Sequence, residues 1–364
     1  MASNRNMPPR KNNNSMKNTG HTKSTNQRKK KSKKRKRKNI LKIFLVCFLL
    51  LIILFIFTII SLVTAISSVD TIDFPKSNTS LGIGSLSTEQ LNDDIINIAL
   101  FGLDRRTPEE PCRSDSMIIV SLDTVHKKLK LSSLMRDTYV DIPGHGYDKL
   151  THAYFYGGPE LAVKTINQNF NLNIKNYISI DFIGMQDIIN KIGGIELELA
   201  DNELEYMNDY ITEQSELRDV APEYLKSPGS QHVTGMQALA FTRVRYTSSG
   251  DFGRSSRQRI VMDAMITKIK KNGILKFPST VNKLIPSVAT SLNGTDIFKL
   301  ASKAFLSDSI HLQQARFPTD GNWYDLDVNG VYYMGHTEED TKREIFNYIY
   351  NDFTPELQLE DIKK

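Results

Sequence analysis

Residues 95–104 have the sequence IINIALFGLD, and residues 113–123 have the sequence RSDSMIIVSLD. Each stretch contains an apolar run of strand length, residues 95–103 in the first and residues 117–122 in the second. Continuous apolar runs are typical of strands covered on both faces, because neither side of such a strand meets water. The two stretches therefore predict a buried β-sheet with acidic residues and arginines at its strand ends.

Helical patterns alternate with further strand patterns along the chain. Residues 177–182 and 195–199 are expected strands, and residues 184–192 and 254–271 are expected helices. A helix is also expected over residues 159–171, since proline favours the first helical position. Strands that alternate with helices indicate an α/β fold. We expect a layered α-β-α domain with a central mixed β-sheet.

Residues 43–66 are an apolar segment of 24 residues without a charged side chain. At roughly 1.5 Å per residue they would form about 36 Å of helix, more than the ~30 Å hydrocarbon core of a bilayer. We expect an uncleaved transmembrane helix here. A cleaved signal peptide is the alternative, although its apolar region is usually shorter, about 7–15 residues.

The charge of the chain is divided unequally around this segment. Residues 1–42 hold 16 of the 47 Lys/Arg and no Asp/Glu, which predicts a cytoplasmic N-terminus and an extracellular C-terminal domain. The remaining 31 Lys/Arg and 41 Asp/Glu give residues 43–364 a net charge of −10. Arginines that cluster in this acidic domain need a local reason. Nucleic-acid binding is not expected, because the basic tail lacks interleaved aromatics.

The expected organisation has four parts, in a single-pass protein of a bacterial cell membrane. They are a disordered basic tail (1–42), a transmembrane helix (43–66), an extracellular linker (67–94) and an extracellular catalytic domain (95–364). Cys47 and Cys112 provide no disulfide framework. Residues 275–364 are expected to complete the fold with two or three helices and one strand, residues 311–317.

Four clusters place acidic residues beside arginines near the predicted strand ends. They are residues 102–106, residues 113–115, residues 136–137, and residues 243–245 with residues 251–254 and residues 257–258. If the first three strands alternate in direction, the first three clusters meet at one edge of the sheet, where open α/β sheets bind ligands. The alternative is that each cluster is an ordinary solvated salt bridge.

The residue types in these clusters suit phosphate and a divalent cation. Asp104 and Asp115 could share Mg²⁺ or Mn²⁺, which prefer hard oxygen ligands. Planar guanidinium groups that match phosphate oxygens come from Arg113, Arg136, Arg243, Arg245 and Arg254. Lys149, expected in a loop over the site, is a further candidate phosphate contact, and an ordinary surface turn is the alternative for this loop.

Arg243 and Arg245 share a face only on extended chain. If both bind one ligand, the helix that starts at Gly235 must end by about Thr242.

The ordered set of motifs resembles the LytR–CpsA–Psr family of bacterial cell-wall enzymes, over about residues 97–271. The resemblance rests on NIALFGLD (97–104), RSDSM (113–117), MRDTYV (135–140), DKLTHAY (148–154), GGP (157–159), GG (193–194), GMQALA (235–240), RVR (243–245) and DFGRSSRQ (251–258). Two positions depart from the family pattern. Met135 replaces the usual proline and Leu103 a common valine, and both remain apolar.

The resemblance implies a phosphotransferase. Such an enzyme moves a glycopolymer phosphate, of teichoic acid or capsular polysaccharide type, from a polyprenyl-diphosphate carrier in the bilayer to a peptidoglycan sugar hydroxyl. Mg²⁺ would be held by Asp104 and Asp115. Asp251 would organise the arginines, the role we favour, or take the proton of the acceptor. The implied diphosphate ligands are Arg113, Arg136, Arg243, Arg245, Arg254 and Gln258.

The family also implies a lipid channel between sheet and helices, whose lining the sequence analysis leaves unassigned. Two other functions stay open at this point. One is a hydrolase that cleaves polyprenyl diphosphates with water, and the other is a membrane-anchored regulator of cell-wall genes.

Overall fold

The computed structural model of the chain describes residues 72–84, 94–105, 111–245, 250–273, 277–306 and 311–355. The predicted tail (1–42) and transmembrane helix (43–66) lie outside these ranges. Among the helices within the ranges, none combines the length and the apolar character needed to cross a bilayer.

Six strands form a central sheet. Their spatial order is His311–Phe317 (β10), Lys128–Leu134 (β3), Ser114–Asp123 (β2), Ile95–Leu103 (β1), Asn176–Asp181 (β6) and Ala289–Thr290 (β9). β1, β2 and β3 pair antiparallel in sequence order, whereas β6 runs parallel to β1 and β10 runs parallel to β3. The expectation of a mixed sheet is confirmed.

The alternating direction of β1, β2 and β3 decides where the charged clusters lie. The end of β1, the start of β2 and the end of β3 share one edge of the sheet, because neighbouring strands run in opposite directions. Residues 104, 113–115 and 136–137 therefore meet at that edge, as the sequence predicted.

Three two-stranded sheets flank the central sheet. They pair Tyr139–Ile142 (β4) with Gly146–Lys149 (β5), Ile195–Leu199 (β7) with Gly229–Val233 (β8), and Trp323–Val328 (β11) with Val331–His336 (β12). The sequence predicted only β7 among these six strands. The short polar strands β4, β5 and β8 lack the apolar runs that mark β1 and β2.

The described helices are Leu150–Phe170 (α1), Phe182–Lys191 (α2), Asp201–Arg218 (α3), Gly235–Arg243 (α4), Gly250–Lys271 (α5), Phe277–Leu284 (α6), Gly294–Leu306 (α7) and Glu338–Tyr350 (α8). They form layers on both faces of the central sheet. One face packs against α1 and α8 in a core that includes Phe101, Ile119, Ile166 and Tyr348. The other face lies towards α2, α4 and α5.

Residues 72–84 belong to the core of the domain, although the sequence analysis placed them in a linker. Phe74, Leu81 and Ile83 are buried and pack with β1 and α1. Asn167 of α1 fixes this segment by donating a hydrogen bond from its side chain to the Leu81 carbonyl oxygen at 2.8 Å.

The first helix begins earlier than predicted. α1 starts at Leu150, so the expected loop over the site is instead the end of β5 and the first turns of α1. Gly157 and Gly158 have non-helical dihedral angles and kink the helix, with Gly158 at φ 60°. Pro159 follows the kink directly. The missing N–H of Pro159 is tolerated because the proline opens the helical segment after the kink. The sequence pattern therefore predicted residue 159 as the beginning of the helix.

Candidate active site

The ends of β1 and β2 bring the predicted metal ligands to neighbouring positions. Leu103 pairs with Ser114, and the Asp104 N–H donates to the Arg113 carbonyl oxygen at 3.2 Å. Asp104 and Arg113 are exposed, whereas Asp115 is half-buried. The carboxylates of Asp104 and Asp115 thus come from adjacent strands at the same edge of the sheet.

Three arginines surround the Asp115 carboxylate. Arg136 Nη1 lies 2.6 Å from Oδ1, and Arg245 Nη2 lies 3.2 Å from Oδ2. Arg254 Nη1 lies 3.6 Å from the same Oδ2, and its side chain is only 5% exposed. These residues come from the end of β3, the segment after α4 and the first turn of α5, so the fold brings together residues 21 to 139 positions apart from Asp115.

The three arginines carry more positive charge than Asp115 alone offsets. Asp251 offsets part of the charge, since its Oδ1 lies 2.7 Å from Arg254 Nη2. Burial raises the pKa of Asp251 above its ordinary value, while Arg136 and Arg245 oppose that increase. Burial alone would lower the pKa of Arg136, but Asp115, Asp137 and Asp251 raise it, so this guanidinium stays charged. This charged guanidinium can bind an anionic ligand.

Lys149 extends the cluster along the edge of the sheet. It ends β5, and its Nζ lies 2.9 Å from Asp137 Oδ1. Arg136 Nε lies 3.5 Å from the other oxygen of Asp137. Lys149 therefore lies in the site as predicted, although on a strand rather than on a loop.

Arg243 and Arg245 contact different partners. Helix α4 ends at Arg243, one residue later than expected, and Val244 leaves the helix with φ −58° and ψ 124°. Arg243 pairs with Glu213 at 3.1 Å, and its guanidinium lies 4.5 Å from the Tyr210 ring centroid and 5.1 Å from that of Phe182. The structure thus places Arg245 on Asp115 and Arg243 beside α2 and α3.

Arg257 holds the turn between these two arginines. Its Nη1 donates to the Val244 carbonyl oxygen at 3.2 Å, and its Nε donates to Glu203 at 2.6 Å. Both charged side chains are buried. Arg257, which the sequence analysis left without a role, therefore positions the backbone from which Arg245 projects.

An apolar cavity of about 230 Å³ adjoins the arginine cluster. Asp115 belongs to both, because its carboxylate binds the arginines and it also lines the cavity. Thr242 and Gln258 add polar groups to the wall. The apolar lining comes from the sheet and the helices that cover it: Leu100, Leu103, Ile118, Ile178, Ile180, Phe182, Met185, Ile188, Leu239, Met262, Met265 and Val288.

The spacing of the lining residues puts them on one face of the sheet but does not identify the cavity. Leu100 and Gly102, like Ile178 and Ile180, are two positions apart and therefore share a face of the sheet. The intervening Phe101 lies in the core on the opposite face. Because both faces are apolar, the sequence does not show which one packs tightly and which one lines a space.

The donor atoms at the sheet edge fit a magnesium ion. Asp104 and Asp115 supply hard oxygen ligands from adjacent strands, and Mg²⁺ usually takes one or two carboxylates together with substrate phosphates. The carboxylate of Asp115 has about four lone-pair sites, so three guanidinium contacts do not exhaust it. Gln258 lines the wall of the neighbouring cavity.

Comparison with known proteins places this site in a family. Residues 61–347 match the LytR_cpsA_psr family. The chain is 31% identical over 257 residues to the polyisoprenyl-teichoic acid–peptidoglycan teichoic acid transferase TagU of Bacillus cereus, which covers 70% of this chain and 77% of that protein.

Two solved structures share the fold. The Bacillus subtilis TagV structure is 25% identical, has a TM-score of 0.56, and covers 73% of this chain and 100% of that one. The LytR-CPS2A-psr family protein YwtF (TagT) with bound octaprenyl pyrophosphate lipid is 23% identical, with a TM-score of 0.57 and coverage of 76% and 99%. The motifs, the fold and the family match agree, and the chain belongs to the LytR–CpsA–Psr family.

Proposed function

We propose that the protein is a phosphotransferase that moves a glycopolymer phosphate from a polyprenyl-diphosphate carrier to a sugar hydroxyl of peptidoglycan. The observation that carries this proposal is the sharing of Asp115 between an arginine cluster and an apolar cavity. A lipid-linked diphosphate has the same two parts, a charged head and an apolar chain. Teichoic acid is the favoured cargo, because the similar TagU protein is named for it.

The proposed reaction breaks a phosphoanhydride bond and forms a phosphate ester bond. The acceptor oxygen attacks the phosphorus that carries the glycan, and the bond to the bridging oxygen breaks. The products are a phosphodiester between glycan and peptidoglycan, a polyprenyl monophosphate and one proton. Negative charge shifts onto the leaving phosphate during this step, and preorganised guanidinium groups stabilise such charge without reorganisation.

The contacts that the arginines make in the structure support their assignment to the diphosphate. Arg136, Arg245 and Arg254 share one carboxylate, so an arriving diphosphate would offer them oxygens that Asp115 alone cannot supply. Arg113, exposed at the same edge, and Lys149 are available to outer phosphate oxygens. Arg243 borders the cavity through Phe182, which suggests contact with the proximal part of the lipid-linked substrate.

Mg²⁺ would be held by Asp104 and Asp115, and Mn²⁺ meets the same requirements. When bound, the ion would neutralise charge on the diphosphate. Asp251 is assigned to proton transfer as well as to holding Arg254. The raised pKa of Asp251 makes its carboxylate a stronger base, as proton transfer requires. The 2.7 Å distance between Asp251 Oδ1 and Arg254 Nη2 supports the organising role.

The proposed location follows from the substrate. A polyprenyl carrier lies in a bilayer, so a single helix over residues 43–66 would hold the enzyme where its donor is concentrated. The basic tail keeps that end cytoplasmic and leaves the catalytic domain on the outer surface of a bacterial cell membrane. Peptidoglycan, the acceptor, is found on that side.

The full chain in detergent micelles, with Mg²⁺, a polyprenyl-diphosphate glycan and peptidoglycan fragments, tests this function. We expect glycan that becomes covalently linked to peptidoglycan, detected by mass spectrometry, and polyprenyl monophosphate in equal amount. Asp115→Ala and Arg245→Ala should lose the product. Release of phosphorylated glycan into water without linkage would instead identify a hydrolase, and undiminished transfer by both variants would refute the site.

A further inference from the structure

Tyrosines form an exposed aromatic surface beside the arginine cluster. This tyrosine surface consists of Tyr139, Tyr147, Tyr324, Tyr332 and Tyr333. Tyr147 and Tyr324 are 54% exposed and Tyr332 is 45% exposed. Exposed aromatic residues that cluster in this way usually mark an interaction site rather than a part of the core.

The rings are held in place by one another and by two hairpins. Tyr139 and Tyr147 lie on one face of the β4–β5 hairpin, with ring centroids 5.2 Å apart. Tyr333 of β12 meets Tyr139 edge-on at 4.9 Å. Tyr324 covers Gly335 of the neighbouring strand, where any side chain would collide with its ring. The surface is therefore preformed, so a ligand would not need to order it.

Direct contacts connect the tyrosine surface to the reactive end of the site. Lys149 Nζ lies 5.7 Å from the Tyr332 ring centroid and 5.6 Å from that of Tyr333, and it also pairs with Asp137. The Met334 N–H donates to the Asp137 carbonyl oxygen at 2.8 Å, which fixes the β11–β12 hairpin to the end of β3. A ligand on the rings would thus lie beside Arg136 and Lys149.

The tyrosine surface and the lipid cavity lie at opposite ends of this series of contacts. The cavity begins at Asp115, and Arg136, Asp137 and Lys149 follow in order before the rings are reached. In phosphoryl transfer the attacking and leaving oxygens are roughly in line across the phosphorus. If the leaving polyprenyl phosphate occupies the cavity side, we expect the attacking hydroxyl to approach from the side of the tyrosines.

The chemistry of the surface suits a sugar. The C–H faces of pyranose rings pack on aromatic rings, because the negative π face of the aromatic ring attracts the partly positive C–H hydrogens of the sugar. A polar partner lies beside the rings, since Asp148 is hydrogen-bonded to the side chain of Tyr333. Asp148 also accepts from the Tyr156 hydroxyl at 2.7 Å. Burial together with Asp325 raises the pKa of Tyr332 to about 12, so its hydroxyl remains a hydrogen-bond donor.

We propose that the tyrosine surface binds the acceptor, a chain of β-linked N-acetylated pyranose sugars, and presents one of its hydroxyl groups to the diphosphate. The proposal rests on the proposed function, because only a transferase has an acceptor. Sugar binding itself can be measured without any transfer. It also gives a role to the β11–β12 hairpin, which the sequence motifs do not include.

The first test measures binding of a β-1,4-linked N-acetylglucosamine hexamer to the full chain in detergent micelles. The single tryptophan of the chain, Trp323, begins β11 and reports binding through its fluorescence. We expect Tyr332→Ala and Tyr147→Ala each to weaken binding about tenfold, as loss of one aromatic stacking partner would. Tyr332→Leu, which keeps apolar bulk and guards against misfolding, should weaken it equally, and Tyr332→Phe should retain most of it.

Tyr224→Ala is the matched control, because Tyr224 is 47% exposed but lies between α3 and β8, on a different part of the domain. It should bind the hexamer like the unchanged protein. Absence of binding by the unchanged protein, or equal binding by Tyr332→Ala, Tyr332→Leu and Tyr147→Ala, would overturn the proposal.

The second test separates the acceptor from the donor in the transfer assay. Tyr332→Ala should raise the KM for peptidoglycan fragments about tenfold and leave the KM for the lipid-linked donor unchanged. A raised donor KM with an unchanged acceptor KM would show that the surface binds the donor glycan instead, which contradicts the proposal. If the unchanged protein transfers nothing but binds the hexamer at these tyrosines, the proposed function fails while sugar binding stands.

Discussion

The two ends of strand β2 hold two aspartates with opposite surroundings. Asp115, near its start, is 18% exposed and faces three arginines beside an apolar cavity. Asp123, at its end, is fully buried and binds Lys130 Nζ at 2.8 Å. Both are acidic residues of one strand with basic partners, so sequence alone gives them the same description.

The Asp123 end is electrically balanced and closed. Lys130 is fully buried, donates to the Ile349 carbonyl oxygen at 2.9 Å and lies 3.3 Å from Asp352. Lys128 pairs with the same Asp352 at 2.6 Å. Asp123, His126 and Asp352 are close enough to share a metal ion, but Lys130 already supplies the positive charge there. This group fastens the end of α8 to the sheet.

The contrast shows how to distinguish a structural ion cluster from a functional one in this fold. Each carboxylate at the Asp123 end has a matching cation, and neither Asp123 nor Asp352 lines the apolar cavity. At the Asp115 end three guanidinium groups contact one carboxylate, and a cavity adjoins it. Cations that converge on one carboxylate beside unfilled space indicate a ligand, whereas buried charges that are paired one to one indicate stability.

The largest effect that would test this contrast is on folding. Lys130→Ala leaves Asp123 buried without its main partner, and we expect the free energy of unfolding to fall by about 3–5 kcal/mol. Urea denaturation followed by circular dichroism measures this change. Lys226→Ala, at an exposed position, should change it by less than about 0.5 kcal/mol. Similar values for the two variants would show that the buried cluster is not structural.

Arg136→Ala should affect transfer instead of folding. Removal of one preorganised cationic donor is expected to lower the transfer rate about 10²–10³-fold. Little stability should be lost, because Arg245 and Arg254 still contact Asp115. Arg136→Lys should recover little, since an ammonium cannot reproduce the planar pair of donors. Arg343→Ala, on the exposed side of α8, is the control. A rate for Arg136→Ala within twofold of normal would contradict the assignment.

Ile178→Trp should fill part of the cavity without touching the arginines. We expect affinity for a long polyprenyl diphosphate to fall at least tenfold, because each displaced methylene forfeits about 0.8 kcal/mol of burial. Affinity for a five-carbon isoprenyl diphosphate should change little. Equal losses for both ligands, in calorimetric titrations, would mean that the lipid chain lies elsewhere.

The smallest predicted effect concerns pH. Asp251 must be ionised to accept a proton, and its pKa is raised, so the transfer rate should decline up to about tenfold per unit as pH falls through that raised value. Asp251→Asn should abolish this decline. Burial alone would raise the pKa of Asp123, but hydrogen bonds from His126 and Lys130 lower it. The net result is a pKa below the ordinary value. Its stabilisation is therefore present at neutral pH and is lost only at more acidic pH.

If the transfer rate of Asp251→Asn still declines at acidic pH, another group must take the proton. Unfolding measured by circular dichroism over the same pH range separates the two aspartates. The fold should remain intact where the rate has already declined, because Asp123 has the lower pKa of the two.

The sequence predicted those parts of the fold and site that depend on local pattern. The apolar runs of β1 and β2 and their charged ends were sufficient to place Asp104, Asp115 and Arg136 at one edge. The different directions of Arg243 and Arg245 were not predictable, because they depend on Arg257 and Glu203 from other helices. The tyrosine surface also escaped prediction, since β4, β5, β11 and β12 are short and bring distant tyrosines together only in the folded chain.

A direct binding measurement tests the central claim, that the arginine cluster around Asp115 and the adjoining cavity together form a site for a lipid-linked diphosphate. The full chain in detergent micelles is titrated with a polyprenyl diphosphate and with the matching polyprenyl alcohol, in the unchanged protein and in Arg245→Ala. We predict that the unchanged protein binds the diphosphate at least tenfold more tightly than the alcohol, and that Arg245→Ala loses most of this difference. Equal affinity for the two lipids, or a preference that Arg245→Ala retains in full, would contradict the account.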